Sequence, residues 1–379
     1  MDIINNKAVL LKLREPNKVT SAIPKSRELA DNKVLVNWGL EEALSLKKLN
    51  IKIPSPIEGR YKWTGRHKPF EHQKSTAAFF TMNKRSFCFN EQGTGKTASA
   101  IWASDFLMKQ GKIRRVLVVC PLSIMDSAWR DDLFTFATHR TVSVAYGPAE
   151  KRKKIIQEGS DYVIINYDGV AIVADEIKKG GFDLIIVDEA THYKNAQTTR
   201  WKTLNKLLTD DTWLWMMTGT PAAQSPVDAY GLAKMVNKNL VPRFFGSFKD
   251  QVMSRVSQFR WVIKPAATEI VFNSLQPAIR FTKEECLDLP PMVYVKREVE
   301  LTNQQKKYYA QIKNKMVMEV TGAEVTAMNA AVSLSKLLQI SSGAVYTDAG
   351  DVLEFDIKNR YKVLREVIDE SSQKILVFV

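Results

Sequence analysis

A chain of 379 residues is too long for one ordinary domain and suits two or three. Its composition, 45% hydrophobic and 25% charged, is that of a globular protein and excludes a disordered one. A net charge of +14 points to a polyanionic partner, and apolar runs no longer than a strand turn that choice from a membrane toward nucleic acid.

In chain order, Lys7–Leu13 reads as a strand, Glu15-Pro16-Asn17 as a turn and Leu40–Leu49 as an amphipathic helix; Pro54 and Pro56 then break the chain. Met1–Leu13 carries only the short apolar stretch Ala8–Leu11, so no signal peptide is expected. Residues 1–60 are expected to form a small accessory region. From 61 to 221 strand-like runs alternate with helix-length stretches: Ser86–Phe89, Arg115–Cys120, Thr141–Tyr146, Asp161–Asn166, Phe182–Asp188 and Thr212–Met217 as strands, with Thr97–Lys109, Asp126–Phe136 and Thr198–Leu208 among the helices. Val116–Val119 and Leu184–Val187 are continuously apolar, which suits strands covered on both faces: an α/β fold with a parallel sheet flanked by helices. Residues 222–350 read as a mostly helical insertion and linker, with Asn303–Val320 and Glu324–Ile340 as its clearest helices. Residues 351–379 read as the start of a second α/β unit, with Asn359–Glu370 as helix and Lys374–Val379 as strand. Cys88, Cys120 and Cys286 are scattered, as suits a reducing compartment, and a cytoplasmic location is expected, or a nuclear one if the host has a nucleus.

The most specific signal is Asn90-Glu91-Gln92-Gly93-Thr94-Gly95-Lys96-Thr97, which leaves an apolar strand and opens a helix. Glycines let the backbone wrap phosphate oxygens, and N–H groups at the helix start point inward. Gln92, Gly93, Thr94, Gly95, Lys96 and Thr97 are therefore candidate ATP contacts, with Lys96 reaching the β- and γ-phosphates and the Thr97 hydroxyl a candidate Mg2+ ligand. The strict pattern asks for a small residue where Asn90 stands. Downstream, Leu184–Val187 ends in Asp188-Glu189. Adjacent side chains at a strand end diverge, so Asp188 can hold Mg2+ while Glu189 polarises the attacking water.

These residues resemble those of superfamily two helicases and, more narrowly, the Swi/Snf family of DNA translocases. Asp188-Glu189-Ala190-Thr191 is followed by Lys194-Asn195, as in that family; Met217-Thr218-Gly219-Thr220-Pro221 resembles its motif III, Pro121-Leu122-Ser123 with Trp129 its motif Ia, and Asn166-Tyr167 its motif Ib. Arg280–Glu285 through Leu289-Pro290-Pro291, with Gln305 and Tyr308, resembles the segment joining two lobes, and Lys374–Phe378 the strand of motif IV. Trp63–Gln73 resembles the adenine-reading segment, with Gln73 as reader and Phe70 or Tyr61 for stacking.

The resemblance implies a RecA-like first lobe, a P-loop ATPase and an ATP-dependent DNA translocase using ATP and Mg2+, acting as a monomer on duplex rather than single-stranded DNA. Thr191 in place of His, Ala222-Ala223-Gln224-Ser225 after motif III and the Glu91–Gly95 loop resemble a bacteriophage or bacterial variant, which implies the host cytoplasm. Motifs V and VI of the family lie beyond the position of Val379, so this chain alone is expected to hydrolyse ATP weakly unless a second lobe or a partner supplies an arginine. Pro121, Ser123, Asn166, Tyr167, Thr218, Gly219 and Thr220 are expected to meet the DNA backbone. So are Arg243, Lys249, Arg255 and Arg260, within a stretch from 238 to 283 that carries eight basic against two acidic residues. The aromatics interleaved there, among them Phe248 and Phe259, are expected in a core; Trp129 is expected to pack a helix, and Lys151–Lys154 to form a solvated face. The rival readings are an RNA helicase of the same superfamily, and a nucleic-acid-binding protein inactive without its second lobe.

Overall fold

The computed structural model describes residues 1–222, 224–257, 260–286, 293–322, 327–347 and 350–378. Ala223, Phe259, Leu289-Pro290-Pro291, Glu324 and Val379, all used above, lie outside the described residues. The chain divides into two compact units, Met1–Leu289 and Pro290–Val379.

The first unit opens with a four-stranded antiparallel sheet: β1 (Asp2–Ile4), β2 (Ala8–Lys12), β3 (Arg27–Leu29) and β4 (Lys33–Asn37), in the order β1-β2-β4-β3. Val9, Leu11, Val34 and Val36 alternate onto one face and bury Val19, Trp38 and Leu46 beneath them. The sequence pattern marks only β2 and the helix Leu40–Lys48 of this group.

The main sheet contains β5 (Arg85–Cys88), β6 (Val116–Cys120), β7 (Val142–Val144), β8 (Tyr162–Asn166), β9 (Leu184–Asp188) and β10 (Trp213–Met217). All six run parallel, and each matches an expected strand to within a few residues. Successive residues of β6, β8, β9 and β10 enter two different cores. Leu117, Val119, Ile185, Val187, Leu214 and Met216 face one; Val116, Val118, Leu184, Ile186, Trp213 and Trp215 face the other. Continuous apolar strands are what a sheet covered on both sides requires. The helix Lys96–Lys109 lies in the second core, and Thr199–Leu207, capped by the Thr198 hydroxyl on the Trp201 N–H, lies in the first.

Past Pro221 the structure departs from the expectation. A hairpin of β11 (Met253–Arg255) and β12 (Trp261–Ile263) and a short β13 (Ala278–Ile279) interrupt the helices, and β13 joins the main sheet beside β5 to complete the order β13-β5-β10-β9-β6-β8-β7. Tyr230, Leu232, Val236, Phe248, Val252 and Leu275 fill the first core. Residues in 222–286 thus pack onto the main sheet, sharing the cover of its first face with Trp201 and Leu204 of the helix Thr199–Leu207.

The second unit has helices Asn303–Gly322, Ala327–Ser342 and Lys358–Glu370 and an antiparallel hairpin, β14 (Ala344–Tyr346) with β15 (Val352–Glu354). Ile340, Val345 and Phe355 form its small core, where Gln305 Nε2 donates to the Ile340 carbonyl at 2.7 Å. Residues 374–378, expected as a strand, are not in one: among the described residues they pair with no neighbour, and a lone strand leaves its backbone groups without a ladder. No helix among the described residues is long and apolar enough to cross a membrane.

One buried acid ties the first lobe together. Asp105, within the helix that follows the phosphate loop, accepts hydrogen bonds from Tyr61 Oη (2.7 Å), Lys109 Nζ (2.8 Å), His139 Nε2 (2.8 Å) and Arg140 Nε (2.7 Å). Burial alone pushes this carboxyl up; the four donors outweigh it and hold the acid down at about 2. A depressed acid stabilises the fold fully above its unfolded value near about 4 and loses that contribution as pH falls toward 2. Asp105→Asn is expected to cost about 2 kcal/mol at pH 7. The gap between the urea midpoints of variant and wild type should shrink as pH drops from 4 to 2, and a gap independent of pH would refute the assignment.

Candidate active site

Three parallel strands end at one level. Met217 of β10 lies opposite Cys88 of β5 on one side and Asp188 of β9 on the other. The phosphate loop and the acidic pair therefore leave the sheet two strand spacings apart, about 10 Å. Open parallel sheets bind ligands at this carboxyl edge.

Gly93 and Gly95 take φ of +82° and +79°, a left-handed backbone that lets the loop fold back before the helix begins. A Cβ on Gly95 would collide with Gln73, which lies directly on the loop. Gln73 Nε2 donates to the Thr94 carbonyl (3.2 Å) while its Oε1 accepts from the Phe70 N–H (3.0 Å), and His72 Nε2 approaches the same Thr94 carbonyl at 2.8 Å. Phe70 is exposed and stacks on His72, whereas Tyr61 is buried with its hydroxyl on Asp105. Of the two aromatics expected beside Gln73, only Phe70 offers a face to a ligand. Lys96 Nζ donates to the carbonyls of Asn90 (2.9 Å) and Glu91 (3.2 Å) across the loop.

The large residue at position 90 has a structural use. Buried Asn90 donates from Nδ2 to Thr76 Oγ1 (2.9 Å) and accepts at Oδ1 from the Phe281 N–H (3.0 Å), while Glu91 Oε2 accepts from the Lys283 N–H (3.0 Å). The segment after β13 is thereby strapped to the phosphate loop.

Asp188 is buried with both oxygens engaged: Oδ2 accepts from Trp129 Nε1 and Oδ1 from the Glu189 N–H, each at 3.0 Å. Burial pushes its carboxyl above the ordinary value, the Trp129 hydrogen bond opposes that, the Glu189 charge adds to it, and Lys96 acts in the lowering direction from across the site. Glu189 has φ +48° and ψ 56°, left-handed for a residue with a Cβ, a strain of about 1–3 kcal/mol of the kind that gathers at functional sites. The Tyr167 hydroxyl donates to the Asp188 carbonyl (2.6 Å) and reaches the Glu189 carbonyl at 3.3 Å. Thr218 Oγ1 lies 3.5 Å from Glu189 Oε2, and its N–H donates to the Cys88 carbonyl (3.0 Å), so the three strand ends are laced together. Gly219 lies against Asn90 and Gln92 of the loop. The Asp188 carboxylate at the strand end suits Mg2+ shared with a polyphosphate, since this ion takes few protein ligands and leaves the rest to water and substrate, and Lys96 adds positive charge close by.

Comparison with known proteins adds a family. The SNF2-related domain matches residues 72–343, which include Gln73, the phosphate loop, the acidic pair and Thr218. This chain belongs to the SNF2-related family. Among its relatives are a protein named p41 from Acyrthosiphon pisum secondary endosymbiont phage 1, 27% identical over 288 residues, and the ATP-dependent helicase MG018 of Mycoplasma genitalium, 24% identical over 300 residues. These alignments take in 70% and 76% of this chain but only 61% and 27% of the relatives. The solved structure of the Sulfolobus solfataricus SWI2/SNF2 ATPase core in complex with dsDNA matches with a TM-score of 0.52 and 22% identity, covering 81% of this chain and 66% of that one; the likeness establishes the RecA-like fold.

Within this SNF2-related chain the residues expected at nucleic acid separate into two groups. Tyr167 and Thr218 are buried, and their hydroxyls meet the acidic pair. Asn166 Oδ1 accepts from Arg152 Nη1 (2.9 Å), and Arg152 is itself buried, not solvated as its place in the run Lys151–Lys154 had implied. Ser123, Thr220, Arg243, Arg255 and Arg260 are exposed, with Pro121 and Gly219 half-buried at the same strand ends. Lys249 Nζ sits 3.6 Å from the centre of the Trp261 ring, Phe248 is core, and Phe244 is exposed under Arg243. The roles of Trp129, Tyr167 and Asn90 had no signal in the sequence, because each acts across the fold on a group remote in the chain.

Proposed function

We propose that this chain is the ATP-binding part of a motor that moves on duplex DNA. The observation that carries the reading is the meeting of Lys96, Asp188, Glu189 and Thr218 at one edge of the sheet. In this reading the loop Gln92–Thr97 cradles the triphosphate and Lys96 swings from the loop carbonyls onto the β- and γ-phosphates. Thr97 and Asp188 hold Mg2+, which when bound neutralises charge on the phosphoryl oxygens. Glu189 orients and deprotonates the attacking water. Gln73 reads adenine with the amide valences that Thr94 and Phe70 leave over, and Phe70 covers the base.

The DNA assignment draws on three things: the net charge of +14, exposed Arg243, Arg255 and Arg260, and the dsDNA held by the Sulfolobus solfataricus ATPase core that shares this fold. Ser123 and Thr220 are the remaining candidates for backbone contact from the strand ends. The test is ATP turnover of the chain with duplex DNA, single-stranded DNA and RNA at one salt concentration. Duplex DNA is expected to stimulate most. Stimulation by RNA alone would favour an RNA helicase, and tight nucleic-acid binding without any nucleotide binding would leave a binding protein.

A further inference from the structure

We propose that Trp129 and Tyr167 are positioning residues that clamp the acidic pair from two sides and thereby set the affinity of the site for its divalent cation. The proposal rests on the reading of Asp188 as the metal carboxylate. An indole has one N–H and no acceptor, so a buried tryptophan has a single polar commitment to make. Trp129, fully buried, makes it to Asp188 Oδ2, and the Glu189 N–H takes the other oxygen. One hydrogen bond on each oxygen fixes the plane of the carboxylate and leaves each oxygen a lone pair for a metal or its water.

The delivery of Trp129 is unusual in a way that bears on function. Met125–Arg130 forms a π-helical turn where the sequence predicts an ordinary helix over Asp126–Phe136; only Asp131–Phe136 is α-helical. Such turns are rare and frequently accompany functional sites, because the extra residue per turn redirects a side chain that a regular helix would aim elsewhere. From the opposite side, the Tyr167 hydroxyl bridges two successive carbonyls, Asp188 and Glu189. That bridge suits the compact left-handed backbone of Glu189, so the tyrosine holds the main chain while the tryptophan holds the side chain. The Tyr167 ring is fixed in turn by His192 at 4.5 Å and by Arg200, which pairs with Asp168.

Hydrogen-bond partners of metal ligands typically govern metal affinity by 10–100-fold, roughly. The experiment measures Mn2+ binding to the full chain by electron paramagnetic resonance with saturating AMP-PNP, alongside AMP-PNP affinity in EDTA. Trp129→Phe keeps an aromatic ring and removes the N–H. It is expected to weaken Mn2+ binding about tenfold or more while nucleotide affinity in EDTA stays unchanged. In an Asp188→Asn background the same change should add nothing, because the group it positions is gone. Tyr167→Phe, which removes one oxygen atom, should weaken Mn2+ in the same direction. Unchanged Mn2+ affinity in a folded Trp129→Phe chain overturns the clamp, as does an equal loss with and without metal. If that variant does not fold, unchanged Mn2+ affinity in Tyr167→Phe overturns it. If Asp188→Asn itself leaves Mn2+ binding intact, the reading of the nucleotide site falls and the clamp falls with it.

Discussion

Lys96→Ala is expected to weaken ATP binding by about a hundredfold or more. A lysine that spans two phosphates makes two charge-assisted hydrogen bonds, and losing them removes about 3 kcal/mol. Lys96 is held over the loop by the Asn90 and Glu91 carbonyls, and binding a phosphate would exchange these neutral acceptors for anionic ones. The loss should therefore be selective: large for ATP, smaller for ADP, absent for adenosine. Lys96→Arg keeps the charge but brings a planar fork into a space shaped for an ammonium, and recovery should be partial at best. Calorimetric titration with the three ligands reads the whole series. Equal ATP affinity in wild type and Lys96→Ala would remove the phosphate-loop assignment, and a uniform loss extending to adenosine would mean that the helix start had collapsed.

Strands β6, β8, β9 and β10 were legible because burial on both faces forces near-continuous apolar runs. The phosphate loop and Asp188-Glu189 were legible for a related reason: phosphate and metal chemistry restricts residue type at fixed spacing next to such strands. β13 was not, since two residues after Pro277 carry no periodicity; only its partner β5 makes Ala278–Ile279 a strand. The N-terminal sheet was half-legible. β2 stood out, but β1 and β3 are three residues long and exposed, so neither composition nor alternation marks them.

The harder misses concern residues with two plausible environments. Tyr167 follows a strand end and carries a hydroxyl, which suits a phosphate contact as well as an internal brace; burial alone decides for the brace. Arg152 sits in a run of four cations, and three of them could be solvated without the fourth. It is buried because the carbonyls of Ala145 and Gly147 and the amide of Asn166 converge on it, and all three are set by how β7 and β8 end. Left-handed Glu189 is beyond any local rule, because glutamate has no preference for that region; the conformation is imposed by the acceptors and donors around it.

That imposed geometry makes Glu189→Gln the second large effect. The exchange is isosteric, so the amide can keep the contact to Thr218 and the main chain can keep its bridge to Tyr167. It removes a negative charge that currently helps push the Asp188 carboxyl up, so the metal carboxylate should ionise more readily, not less. Binding of nucleotide with Mg2+ is accordingly expected to hold or tighten. An amide cannot take a proton from water, and losing a general base costs about 10²–10⁴ in rate. Single-turnover hydrolysis with excess protein and duplex DNA separates the two quantities even when turnover is slow. Tight binding with a rate reduced by about a hundredfold or more assigns the water to Glu189. A rate within a few fold of wild type would mean that another group orients the water, and the left-handed turn at 189 would then need a reason outside the chemistry.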